Sequence, residues 1–345
     1  MKKSEVLTSN NFAKSSDLVY SEIITNNDFE NLKLDDISII DKNERFTFYK
    51  KNKFSLSENT IIFSNSLMIE SLFNDLRNIN FKNLKLITSQ TDRMINKQLF
   101  EKMPNCISKW YSVNVNYENE KLIPIPLGLA NNYSPKNLLS KDFEGTNFET
   151  MKIDKIYVNF NKYTNLKERH NLYDLFENFN WTTIDRKILD FNEYQENLKN
   201  HKFVLCPWGN GIDTHRIWEV LYSGSIPVIK DHITFKCLES LPVIFIDDYI
   251  NLNYDYLIHK SNELKPISIN DEFLNLNYWI NKVRNNEYVD ESQMINVNCD
   301  DLFFTNLVKR NKLVSRKNRY KSKLIFRIYQ LFGLIKKLKK LIIIK

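Results

Sequence analysis

Three of the chain's six glycines fall within residues 209–229, GNGIDTHRIWEVLYSGSIPVI, where a His-Arg pair heads an apolar run. The apolar run KFVLCP (202–207) precedes it, so the order is strand, Pro207, glycine loop, helix. A strand that ends in a glycine loop opening a helix exposes first-turn N–H groups, where the helix dipole favours an anion. Asp213 or Thr214 can cap such a helix, and Ile217, Val220 and Leu221 recur at spacings that turn one face to a sheet. Gly224 can end it, whereas Gly209 and Gly211 would let the backbone approach the anion. Arg216 then falls in the first turn, and Glu219 stands one turn further on the same face. A guanidinium can bind phosphates with two N–H groups, His215 adds a donor, and a carboxylate at Glu219 can accept from ribose hydroxyls. The set suits a nucleoside diphosphate. Arg216 and Glu219 can also be read as an ordinary i,i+3 ion pair on a solvated face, although the glycine loop and the basic residue coincide at one end. The loop is neither a Walker A nor a GxGxxG motif, because it lacks GK[ST] and a third glycine.

The elements that would hold this loop alternate along the chain. TIIFSN (60–65), SLMIESLFNDLRNI, LKLITS (84–89) and DRMINKQLFEKM read as strand, helix, strand, helix. KLIPIPLGLANNYSP (121–135) carries three prolines and a glycine, which excludes a central strand and marks a domain edge or a loop facing the site. After a polar linker at about 140–152, KIYVNFN, NLKERHNLYDLFENF, FNEYQENLKNH, KFVLCP, the glycine loop with its helix, IPVIK and LPVIFID repeat the rhythm. Alternation of this kind predicts an α/β fold with parallel sheets, in two halves.

HKFVLCPWGNGIDTHRIWEVLYSGSIPVI, followed by LPVIFIDDY, resembles the nucleotide-sugar-binding half of exostosin-like glycosyltransferases. VNFNKYTNLKERHNLY (158–173), KWYSVNV (109–115) and IPIPLGL (123–129) are similar to segments of that group's bacterial relatives. The resemblance runs from about residue 84 to 250 and is most specific at 202–229. It implies the GT-B fold, two Rossmann-like domains facing across a cleft, here divided as 1–145 on the acceptor side, 150–300 on the nucleotide-sugar side, and a tail at 301–345. It further implies that Arg216 and Glu219 bind the donor nucleotide, with Asn210, Gly211, Asp213, Thr214 and His215 around the diphosphate or sugar. Arg169, in TNLKERHNLY, is similar to a second phosphate-binding arginine; it reads equally as a surface helical arginine. The expected function is transfer of a sugar from a nucleotide-sugar donor to a glycan or lipid-linked glycan acceptor, in surface polysaccharide synthesis. A noncatalytic nucleotide- or glycan-binding protein on the same scaffold is the alternative, since fold does not fix function.

No cofactor and no metal are expected. The chain contains no D-x-D, only the doublets Asp35-Asp36, Asp247-Asp248 and Asp300-Asp301, so leaving-group charge would be met by arginines and a helix N-terminus. An inverting transfer needs a base for the acceptor hydroxyl. All five histidines lie between His170 and His259, so a base from the first half must be a carboxylate. Asp92, just after LKLITS, stands where strand ends in open α/β sheets carry chemistry; it reads equally as a helix N-cap.

The chain's formal charge is +7, but the 14 basic residues of 309–345, with no acidic residue among them, account for all of the excess. The remainder holds 35 basic and 42 acidic residues, which argues against a nucleic-acid groove. In 320–345, Leu324, Ile328, Leu331, Phe332, Ile335, Leu338 and Ile342 recur at helical spacing, with Arg327, Lys336, Lys337 and Lys340 largely elsewhere. Such a basic amphipathic helix lies in an anionic membrane interface, or packs on the protein with a solvated basic face. Four scattered cysteines suggest neither a disulfide framework nor a zinc site, and the N-terminus lacks the apolar core of a signal peptide. The expected location is cytoplasmic, peripheral on the inner face of a membrane.

Overall fold

The computed structural model describes residues 2–328 apart from 149, 188, 267, 269–270, 285–293, 315–316, 318–319, 321–323 and 325–326. Residues 1–299 form one compact unit and residues 300–345 another.

The first unit opens with α1 (Ser9–Lys14), β1 (Leu18–Thr25), α2 (Asn26–Leu32), β2 (Ile37–Lys42), β3 (Phe46–Lys51) and β4 (Lys53–Leu56). It continues with β5 (Ile61–Asn65), α3 (Ile69–Asp75), β6 (Leu84–Ser89), β7 (Ile95–Asn96), α4 (Lys97–Phe100), β8 (Ile107–Ser112), β9 (Val115–Asn116) and β10 (Leu122–Pro124). Next come β11 (Ile153–Val158), α5 (Leu166–Arg169), α6 (Leu172–Phe176), β12 (Thr182–Ile184), α7 (Phe191–Asn200) and β13 (His201–Leu205). The unit closes with α8 (His215–Tyr222), β14 (Ile226–Lys230), β15 (Ile244–Ile246), α9 (Tyr254–Glu263), α10 (Leu276–Arg284) and β16 (Ile295–Asn298).

Two main sheets result. A seven-stranded sheet has the order β10-β8-β6-β5-β1-β3-β2, parallel from β10 to β1 and antiparallel at β3 and β2. A five-stranded parallel sheet has the order β12-β11-β13-β14-β15. Every residue of β5 and β6 is buried, as parallel strands covered on both faces require. In the second sheet the chain leaves β11 for β12 on one side and returns through α7 to β13 on the other. The crevice between the ends of β11 and β13 is therefore a topological switch point.

The chain then comes back to the first sheet. Lys85 Nζ on β6 donates to Arg284 O at the last turn of α10, 2.9 Å, where the helix dipole favours a cation. β16 pairs antiparallel with β4.

Three local readings of the sequence change. The helix expected over DRMINKQLFEKM shrinks to α4, because Ile95 and Asn96 pair with Val115 and Asn116 and Asn96 caps the helix through Leu99 N, 3.0 Å. Asp92 is thus no N-cap. NLKERHNLYDLFENF divides into α5 and α6. The first 60 residues, which lie outside the resemblance, supply β1 near the middle of the large sheet. Its LVYSEIIT sequence is disguised by Ser21 and Glu22, both buried and satisfied, Ser21 by Ser64 at 3.0 Å and Glu22 by Asn10 at 2.6 Å.

In the second unit, residues 301–314 are helical, and Asp300 caps them by accepting from Phe303 N at 2.8 Å. The stretch 320–345, read as an amphipathic helix, lies outside the described residues apart from Tyr320, Leu324, Arg327 and Ile328. All four are exposed.

Candidate active site

The glycine loop follows β13, and α8 starts where the sequence places it. Thr214 takes the N-cap backbone position, but its hydroxyl caps nothing: Oγ1 is buried with no hydrogen-bond partner among the described residues. Gly224 ends the helix with φ of +72°.

α8 is more deeply buried than its spacing suggests. Besides Ile217, Val220 and Leu221, residues Trp218, Glu219 and Tyr222 are buried. The covering layer comes from the proline-rich segment, its continuation through Phe143, and Leu7. Leu138 N donates to Glu219 Oε1 at 3.3 Å, Phe143 packs on Tyr222, and Tyr222 OH accepts from Leu7 N at 3.1 Å. A helix covered on nearly all sides carries few solvated positions.

Glu219 therefore does not sit on an open face. It is 3% exposed, and its second oxygen accepts from Tyr194 OH on α7 at 2.8 Å. No ion pair joins it to Arg216 among the described residues. The guanidinium of Arg216 lies over the Tyr194 ring, 5.2 Å from its centroid, and donates no hydrogen bond to any described residue. Its Nη1 is buried without a partner. An unmet buried donor is unfavourable by roughly 1–3 kcal/mol, more when charged, so this group is poised to gain from an acceptor.

Arg169 is placed by α5 and is 6% exposed. Its guanidinium donates to Trp208 O at 2.7 Å, Pro207 O at 2.7 Å and Asn161 O at 3.1 Å, which ties the ends of β11 and β13 together across the switch point. Burial, then the nearby charge of Arg216, pulls its pKa down to about 10, so it stays charged at neutral pH. Neither arginine is ion-paired to a carboxylate among the described residues. Two neighbouring guanidinium groups without a paired carboxylate make this crevice attractive to an anion.

Asp213 is 2% exposed and works as a strap. Its Oδ2 accepts from Leu127 N at 2.9 Å and its Oδ1 from Trp218 Nε1 at 3.0 Å. Burial pushes its carboxyl up to about 7, against the lowering effect of those donors and of Thr214 N–H. A raised folded-state pKa means that stability from this group is complete below the ordinary carboxylate range of about 4 and is lost as pH rises through 7. Asp213→Asn loses one acceptor and should destabilise by about 1–3 kcal/mol, since a buried donor is left unmet. The gap in stability between parent and variant, measured by denaturant titration, should narrow from pH 5 to pH 8. A gap that widens with pH would contradict the assignment.

The remaining predicted residues meet the first half of the chain. His215 Nδ1 lies 2.8 Å from Gly128 O. A carbonyl only accepts, so Nδ1 carries the proton and the neutral ring keeps its lone pair on Nε2; His215 donates to a phosphate only as the imidazolium. Gly128 itself has φ of +74°, and a Cβ there would lie 2.1 Å from Leu7 O, so no other residue fits. Asp92 follows β6 and is exposed as a residue, but its carboxyl is turned in toward Asn210 and Gly211 and loses part of its water there. Burial raises its carboxyl above the usual range, while His215, the Asn210 side chain and the Gly211 N–H oppose the rise. The structure thus brings Asp92, Asn210, Gly211 and His215 together from two distant segments.

Asn114, which the sequence reading passes over, organises this junction. It is buried with φ of 54°, and its Oδ1 accepts from Ile212 N at 2.8 Å and Asp213 N at 2.9 Å. A Cβ on Gly211 would come within 2.9 Å of Asn114 Nδ2 and 3.2 Å of Asp92 Oδ1. Close approach at Gly211 is therefore to the first half, where the sequence suggested an anion. The one available signal is the asparagine after a buried strand, a residue that tolerates left-handed backbone. Tyr194 is also absent from the sequence reading, because α7 offers no motif.

Among the described residues no group of three or more His, Cys, Asp or Glu side chains is placed to hold a metal ion. Residues 177–297 match the family model of the RXYLT1 C-terminal domain, a glycosyltransferase-related family. The match encloses β13, the glycine loop and α8. A crystal structure of an α1,3-fucosyltransferase is similar over 67% of this chain and 80% of that one, at 14% identity and a TM-score of 0.32, a likeness too distant to fix the fold. No curated protein matches the chain.

Proposed function

We propose that the protein is a glycosyltransferase of GT-B architecture, exostosin-like in its second half, that moves a sugar from a nucleotide-sugar donor to a glycan or lipid-linked glycan acceptor. The observation that carries this reading is Arg216, a guanidinium at the first turn of α8 with a buried, unpartnered Nη1, beside a second unpaired guanidinium at Arg169. The family likeness over 177–297 supports the reaction class.

In this proposal the donor diphosphate binds at the start of α8, held by Arg216, the first-turn N–H groups and Thr214 Oγ1, with Arg169 shaping the floor through its carbonyl contacts. Asp92 faces the loop from the opposite side and takes the proton of the acceptor hydroxyl as its oxygen attacks the anomeric carbon. Attack opposite the departing diphosphate inverts that carbon. The leaving-group charge is met by Arg216 and the helix dipole, with no metal required. The basic tail at 320–345 would hold the protein to an anionic membrane at the cytoplasmic face, where lipid-linked acceptors of a surface polysaccharide are assembled.

Titration of the purified chain with UDP and with GDP, followed by a screen of nucleotide sugars for hydrolysis or transfer, tests the proposal. Binding of one nucleotide with turnover of its sugar conjugate is expected. Binding without turnover of any donor, in the presence of glycan acceptors, would indicate a binding protein, and no binding of either nucleotide would remove the donor site altogether.

A further inference from the structure

On α8, Arg216 and Glu219 are three residues apart, a spacing at which opposite charges ordinarily pair. They do not pair here. The residue between them is Tyr194, from α7: its hydroxyl donates to Glu219 Oε2 at 2.8 Å, and its ring face carries the Arg216 guanidinium at 5.2 Å. Glu219 Oε1 is engaged separately by Leu138 N. One side chain thus occupies the carboxylate and supports the arginine, through two different chemistries.

We propose that Tyr194 is a positioning residue that keeps Arg216 un-neutralised, so that its guanidinium is free to bind the phosphate groups of a nucleoside diphosphate. The inference rests on the donor-site reading above and names what makes that site available. A ring face holds a guanidinium in place while leaving its in-plane N–H donors unused, whereas a carboxylate would consume them in a two-bond pair. The phenol also adds no competing charge: burial pushes the Tyr194 hydroxyl far above its ordinary value, with Arg216 opposing and Glu219 reinforcing the rise, so it remains a neutral donor. An anion arriving at Arg216 then displaces no existing ion pair.

The test is a cycle of variants read by affinity for pyrophosphate, UDP and GDP. Tyr194→Phe retains the ring but leaves Glu219 Oε2 without its donor, so the carboxylate turns to Arg216. Affinity should fall about tenfold, the scale of a single charge-assisted hydrogen bond. In the Tyr194→Phe/Glu219→Gln double variant the competing charge is gone, and affinity should return to within about threefold of the parent. This double variant also leaves no buried carboxylate unsatisfied, which protects the test against misfolding of the single variant. Parent-like affinity in Tyr194→Phe, or failure of Glu219→Gln to restore it, would overturn the role of Tyr194 while leaving the donor site standing. A parent that binds none of the three probes would overturn both.

Discussion

Asp92→Asn is expected to lower turnover of the donor by about 10²–10⁴-fold, the usual contribution of a positioned general base, while nucleotide affinity stays close to that of the parent. Asparagine preserves the shape of the side chain and can still bond to Asn210 or Gly211, but it cannot accept the acceptor's proton. The carboxyl is raised chiefly by burial, which brings it nearer the pH at which a base works best. Its three opposing influences, His215, Asn210 and Gly211, all belong to the glycine loop and the start of α8, so a ligand bound there as proposed would change the basicity of Asp92. The measurement is the ratio of kcat to KM beside a separate nucleotide titration. A variant that loses binding and turnover together would place Asp92 in the donor site as a structural group.

Arg216→Ala is expected to weaken UDP or GDP binding by about 10²-fold, which corresponds to loss of one or two hydrogen bonds between a guanidinium and phosphate. The fold should survive, because Arg216 donates no hydrogen bond to any described residue and its removal leaves no protein acceptor unmet. What is lost is the packing on the Tyr194 ring and the charge interaction with the nearby Glu219 carboxylate. Arg169→Ala should behave differently. Its guanidinium satisfies three carbonyls at the ends of β11 and β13, so the main effect there is on folding. Thermal unfolding of the two variants beside their nucleotide titrations separates the roles; a strongly destabilised Arg216→Ala would assign that arginine to the scaffold.

How much of this was legible in the sequence depended on whether a residue's role was local. The order strand, glycine loop, helix at 202–224 needs only neighbouring residues, and it folds as read. Parallel strands such as KFVLCP and IPVIK announce themselves by short apolar runs, because both faces are covered. β1 did not, since Ser21 and Glu22 find partners on Ser64 and Asn10 that no spacing reveals. The place of Asp92 at a strand end is visible in the sequence, but its meeting with Asn210 and Gly211 depends on two sheets approaching each other. Asp213 reads as a helix cap and Glu219 as an acid on a helix face until the proline-rich segment and its continuation are laid over them. Tyr194 and Asn114 act through partners at least 22 residues away, and no local pattern marks them.

A crystal structure of the protein with UDP or GDP, whichever binds more tightly, examines the central claim most directly. The diphosphate should lie at the first turn of α8, with a phosphate oxygen within hydrogen-bond distance of Arg216 Nη1 and Glu219 still held by Tyr194. A nucleotide bound elsewhere, or bound with Arg216 making no contact to phosphate, would contradict it.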